Sequence, residues 1–298
     1  MRLVVGGFNN MVRKTAVALS IAMSFCASAG LRHYSAPVEM SQWQVSEKSR
    51  LQCTLAHPLP GYGEAMFTSM ASKQLNMEFE LEMLRLPANY SVASVYSVPP
   101  QWMPGQVQRE ITSMPIRKQY NGDIPEKAAW TMLSELEKGY WPTLYYQDWY
   151  SDFDRISVGL NASNFSQPYV EFVECVANLL PYSFDDIAYT VLSYKSNSVD
   201  LTKYSKKRLQ MIADYLKEDT DLELVLLDGY SDSYGGRWNN KQLSIRRAVE
   251  IKSFFSDMGV DPTRIEVTGH GERRHAAPNT NKMSRAKNRR VVIRMAKP

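Results

Sequence analysis

Leu222-Glu223-Leu224-Val225-Leu226-Leu227-Asp228-Gly229-Tyr230-Ser231-Asp232-Ser233-Tyr234-Gly235-Gly236 is the stretch on which the reading of this chain turns. Residues 222–227 are apolar apart from Glu223 and short enough to be a buried strand. The run then turns polar and sets Asp232 at the strand's end, where side chains emerge at the rim of a sheet. Gly235-Gly236 lets the following backbone turn tightly and approach a ligand closely. Downstream, Ala248, Ile251, Phe255 and Met258 recur at helical spacing, and Gly259 and Pro262 stop that helix. Arg247 is expected in its first turns, facing the same mouth as Asp232. Upstream, Leu209, Ile212, Ala213 and Leu216 mark another helix, and residues 184–194 read as a strand. Residues 265–269 and 291–295 complete the strands. Strands alternating with single helices predict a two-layer α/β domain with a mixed sheet over residues 182–298.

Within that domain the residues Gly229-Tyr230-Ser231-Asp232, Gly235, Asn240, Leu243-Ser244 and Arg247-Ala248 come first. Gly269-His270-Gly271-Glu272, Pro278, Arg285 and Asn288-Arg289-Arg290-Val291 follow. On these residues the segment resembles the OmpA-like peptidoglycan-binding family, whose motif is matched in the same order. Ser231 stands where threonine is commoner and keeps the hydroxyl. The resemblance implies that Asp232 and Arg247 hold the free end of diaminopimelate in the wall's stem peptide. That end is a zwitterion, so it needs an anion for its ammonium and a planar fork of donors for its carboxylate, which lysine does not offer. Ser231, Gly235 and Asn240 are candidates for the same site. Of Arg289 and Arg290, one is expected to pack or pair structurally at the start of the last strand and the other to lean toward the ligand; Arg290 is the candidate. Outside this motif an Asp232–Arg247 pair would more often be a structural salt bridge.

Charge divides the chain. Residues 30–181 carry 11 Lys and Arg against 16 Asp and Glu, whereas residues 182–298 carry 21 against 15. An acidic module and a basic one with different partners are expected. The basic run from Arg264 onward (10 basic residues, 2 acidic) is of a kind that binds nucleic acid. Export and the wall motif favour a polyanionic wall instead. The acidic half reads mostly as β, so the whole chain is expected to be α+β, an N-terminal β-rich domain followed by the α/β domain. Residues 75–83 alternate strictly, and residues 90–98 and 155–160 also look like strands. One helix is expected at about 126–138, behind Pro125. The aromatic segment 140–150 reads as core plus strand edge rather than as a partner surface.

At the N-terminus, Arg13 and Lys14 precede an apolar stretch at 15–25, followed by Ala27-Ser28-Ala29. This is the pattern of a signal peptide over residues 1–29, cleaved after Ala29, with Met11 an alternative start. The apolar stretch is too short for ~30 Å of hydrocarbon, and Phe25 before Cys26 argues against lipidation. No later apolar stretch is long enough to span, so the exported chain is expected to be soluble. Cys53 and Cys175 then remain and are expected to form a disulfide, two buried thiols being the other reading. His33, His57, His270 and His275 show no metal-ligand spacing, and His270 and His275 read as loop residues. No metal, cofactor or catalytic residue is expected.

The layout of signal segment, β-rich domain, cysteine pair and terminal OmpA-like module resembles the MotY family of sodium-driven polar flagellar motor components. That resemblance implies a periplasmic structural protein at the flagellar basal body. It also implies a MotX-like partner for residues 30–181, and stators held indirectly through the wall. OmpA-type porins would need aromatic-girdled barrel strands before the module, and stator subunits a transmembrane helix. The competing reading is a secreted peptidoglycan-remodelling enzyme that uses the module for targeting.

Overall fold

The computed structural model describes residues 30–151, 153–195, 198–219 and 224–297. The expected signal peptide, its cleavage site and Cys26 lie outside the described residues. No helix among them is long and apolar enough to cross a membrane.

The first part contains β1 (Leu31–Tyr34), β2 (Gln44–Lys48), β3 (Gln52–Leu59), β4 (Gly63–Met70), β5 (Glu78–Met83), β6 (Ser91–Val98), β7 (Arg109–Ile116) and β8 (Gly122–Ile124). These are followed by α1 (Glu126–Glu137), β9 (Trp141–Gln147), β10 (Arg155–Gly159) and α2 (Ser166–Ala177). Two five-stranded sheets result, ordered β1-β10-β9-β6-β7 and β2-β3-β4-β5-β8. Alternation decides β5: Phe79, Leu81 and Met83 enter the core while Glu78, Glu80 and Glu82 face out. The strand begins later than expected because the Asn76 side chain is used in a turn, accepting from Met70 N and donating to Met70 O. The aromatic segment supplies β9, an internal strand between β10 and β6 rather than an edge, with Leu144 and Tyr146 in the core. Leu55, Phe67, Val95 and Val158 share that core, together with Met132 and Leu133 of α1 and Phe172 of α2. A disulfide joins Cys53 of β3 to Cys175 of α2.

The second part contains α3 (Phe184–Ile187), β11 (Tyr189–Ser193), α4 (Lys203–Glu218), β12 (Leu224–Tyr230), α5 (Arg237–Asp257), β13 (Ile265–Gly271), α6 (Lys282–Asn288) and β14 (Arg290–Ala296). Its sheet runs β11-β14-β12-β13, with β12 and β13 parallel and the other pairs antiparallel. This is the expected mixed sheet. Residues 184–194 are not one strand: Ser183 and Asp186 form a reciprocal capping box that winds residues 184–187 into a helical turn. Val225, Leu227, Val291 and Ile293 meet Leu209 and Ile212 of α4 and Ile251 and Phe255 of α5 in a second core. Gly229 is required where α5 crosses β12, since a Cβ there would lie 2.0 Å from Ser244 O.

The two parts meet along a seam. Leu180 and Ala71 belong to the second core, and Leu51 packs against it. Arg50 pairs with Glu218 at 3.9 Å, and Lys73 with Asp186, across the same seam.

Candidate functional site

The loop after β12 and the helix after it position the candidate residues. Gly235 takes φ +103°, a conformation that favours glycine, and so turns the chain into α5 directly behind Gly236. Because α5 starts at Arg237, Arg247 falls in the middle of the helix rather than in its first turns. Instead of facing an open mouth, Arg247 is fully buried, at 0% exposure. Its Nε and Nη2 donate to Ser198 O at 3.3 and 2.9 Å, and Nη1 donates to Tyr230 O at 3.1 Å. The guanidinium lies 4.7 Å over the Tyr194 ring. Burial lowers its pKa from the usual arginine value, opposed by Tyr194 and Asp232; arginine nevertheless stays charged. No carboxylate forms an ion pair with it among the described residues.

Asp232 is paired with Arg289, not with Arg290, the one of the two adjacent arginines expected to lean toward the ligand. Arg289 Nη1 donates to Asp232 Oδ2 at 2.9 Å, and both side chains are largely buried. Arg289 Nε is buried without a hydrogen-bond partner among the described residues, as is Ser231 Oγ. Arg290 lies elsewhere. Its guanidinium covers the Tyr230 ring at 3.9 Å, and Nη2 donates to Arg274 O. Parity along β14 explains the difference and was available in the sequence. Val291 and Ile293 face the helices, so Arg289 shares their side and Arg290 takes the other.

Asn240, in the first turns of α5, is buried and donates to Glu272 Oε2 at 3.1 Å. Glu272 also pairs with Arg237 at 3.4 Å. Ser244 Oγ accepts from Gly271 N at 2.9 Å, which ties α5 to the end of β13. Asn288 Oδ1 accepts from Ala276 N and Ala277 N, so this motif residue shapes the loop before α6. His270 is a strand residue, not a loop residue. Its Nε2 lies 2.8 Å from Asp228 Oδ1, and its ring stacks on Tyr230. Burial works to raise the Asp228 carboxyl, but hydrogen bonds from His270 and Arg294 hold it below its ordinary value.

Two cationic guanidiniums and one carboxylate are thus buried around the Tyr230–Asp232 loop. Such a site has a positive excess that an incoming carboxylate would neutralise, and an anion that can meet an ammonium.

Two family profiles match the chain: the MotY N-terminal domain over residues 34–181 and the OmpA family over residues 193–289. The sodium-type flagellar protein MotY of Vibrio parahaemolyticus is 42% identical over 289 residues, covering 97% of this chain and 99% of that one. The outer-membrane lipoprotein YfiB of Pseudomonas aeruginosa is 37% identical over 98 residues, covering 33% of this chain and 58% of that one. The peptidoglycan-associated lipoprotein of Pseudomonas putida is 33% identical over 107 residues, 36% of this chain and 63% of that one. A solved peptidoglycan-associated lipoprotein from Burkholderia pseudomallei aligns with TM-score 0.34 and 24% identity over 36% of this chain and 89% of its own.

Proposed function

The chain belongs to the MotY family, and from that membership we propose a periplasmic structural component of the sodium-driven flagellar motor that grips peptidoglycan without cleaving it. In this reading residues 182–298 hold the diaminopimelate end of a stem peptide. Residues 30–181 dock on the basal body with a MotX-like partner, and stators are held by way of the wall. The observation that carries the wall-binding part is the buried Arg247 guanidinium, which among the described residues gives its N–H groups only to the carbonyls of Ser198 and Tyr230. A ligand carboxylate takes over donors now given to Ser198 O, and the ligand ammonium competes with Arg289 for Asp232. Similarity to the Vibrio flagellar protein over 97% of the chain supports the motor setting.

The test is co-sedimentation with purified peptidoglycan. Asp232→Ala and Arg247→Ala are expected to lose binding while circular dichroism stays unchanged. Removing one side of a buried charge pair costs ~2–5 kcal/mol. Arg247→Lys is expected to fail as well, because the fork is lost. Free diaminopimelate should compete. Sedimentation of both alanine variants at wild-type level would sink the site, and lysis of the wall in a zymogram would favour the remodelling enzyme.

A further inference from the structure

A cleft of about 400 Å³ opens where the two sheets of the β-rich part meet, lined by none of the residues discussed above as wall ligands. Its walls come from β1 (Tyr34), the β3–β4 turn (Tyr62), β9 (Tyr146) and the turn after β9 (Asp148, Trp149, Tyr150). The volume falls within the roughly 300–1,000 Å³ common for small-molecule sites. We propose that this cleft binds a neutral pyranose sugar, with Asp148, Trp149 and Tyr150 as its contact residues.

Aromatic rings dominate the walls. Tyr146 and Trp149 stack at 5.2 Å and 8°, Tyr34 and Tyr62 lie 5.2 Å apart, and the Tyr150 ring stands 66% exposed. Flat C–H faces of a pyranose pack well on such rings. The same lining residues carry polar atoms with unspent bonding capacity. Among the described residues Trp149 Nε1 is buried with no acceptor, and Asp148 Oδ2 has no partner other than the ion pair with Arg32 Nη1 at 3.1 Å. Asp148 Oδ1 is occupied by Tyr150 N at 3.0 Å. The Tyr62 and Tyr146 hydroxyls lie 3.0 Å apart. One donates to the other, which leaves one O–H free. Burial pushes both hydroxyls above the usual tyrosine range, so they stay protonated donors. Buried polar atoms without partners are uncommon and call for a ligand or water.

Other ligand classes fit less well. An apolar molecule would seal the indole N–H and the carboxylate oxygen without partners. An anion would face Asp148, and a cation would face Arg32 and Arg85. A neutral polyol with one flat face conflicts with none of these groups.

Saturation-transfer NMR and calorimetry on the purified protein, with N,N′-diacetylchitobiose and with maltose as probes, test this. At least one sugar is expected to bind with a dissociation constant on the order of 1 mM. Trp149→Phe removes the indole N–H together with one of the two fused rings and keeps a single ring on Tyr146; Tyr150→Ala removes an exposed ring. Each is expected to weaken binding about tenfold or more, with melting temperature and wall sedimentation unchanged. Preference for the chitobiose would identify an acetamido sugar such as the wall glycan, and preference for maltose another polyol. Absence of binding by both sugars at tens of millimolar would overturn the proposal. So would sugar binding indifferent to both substitutions, or an apolar peptide occupying the cleft that the sugars cannot enter.

Discussion

His57 lies beneath Trp43, the two rings stacked 4.3 Å apart. Its Nδ1 donates to Gln42 O at 2.9 Å, since a carbonyl can only accept. Nε2 is buried with no partner among the described residues. Burial pushes its pKa down from 6.5 to about 4, opposed by the Gln42 bond. Between those values the unfolded chain takes up a proton that the folded one does not. The stability is therefore fully present above about pH 6.5 and is lost as pH falls toward 4. The loss amounts to about 3 kcal/mol. We expect urea midpoints at pH 7 and pH 4.5 to differ more for the wild type than for His57→Phe, which loses one hydrogen bond at pH 7 but no titration; equal differences would place the acid sensitivity elsewhere. At this same scale, motif order put Asp232 and Arg247 forward, and the structure brings both to the Tyr230–Asp232 loop. That Arg289 rather than Arg290 meets Asp232 was not legible, because two adjacent arginines look alike until strand parity is assigned. Ser198 and Tyr194 left no sequence signature, since one offers a backbone carbonyl and the other a ring face.

The elements that were legible are those whose own pattern matches their surroundings. β5 alternates because one side is core and the other solvent. α4 shows helical spacing because Leu209, Ile212 and Leu216 all enter one core. α2 was not anticipated: Val170, Val173 and Val176 are poor helix formers, and burial of Phe172 and Cys175 against β3 decides the matter. α3 is only four residues long and exists through its cap, which periodicity does not reveal. The disulfide spans a sequence separation of 122 residues, for which loop entropy gives ~4–5 kcal/mol before strain. Cys53→Ser and Cys175→Ser are accordingly expected to lower the melting temperature equally and to reduce periplasmic abundance alike, because unlinked chains unfold more often and meet proteases. Unequal shifts in calorimetry would show that one cysteine has a role beyond the bridge.

At the scale of the whole molecule, the change of charge near residue 181 points to two modules with different partners, and the second core also recruits Leu51, Ala71 and Leu180 from the first part. A fragment of residues 182–298 keeps every residue of the wall motif, so it is expected to sediment with peptidoglycan. Having lost those apolar neighbours, it should also show weaker hydrogen-exchange protection of the β12 and β14 amides than the full chain does. Equal protection would mean that the seam contributes nothing to the second core. The seam and the disulfide also have a mechanical consequence. If the wall domain is held and the β-rich part is pulled, tension enters at the C-terminal end of α2, where a helix unwinds one bond at a time. Cys175 lies two residues inside that end, and its link to Cys53 hands the load to β3, a strand paired on both sides by β2 and β4. Such a strand must shear many hydrogen bonds together instead of peeling, so one covalent bond makes a brittle helix end into an anchorage.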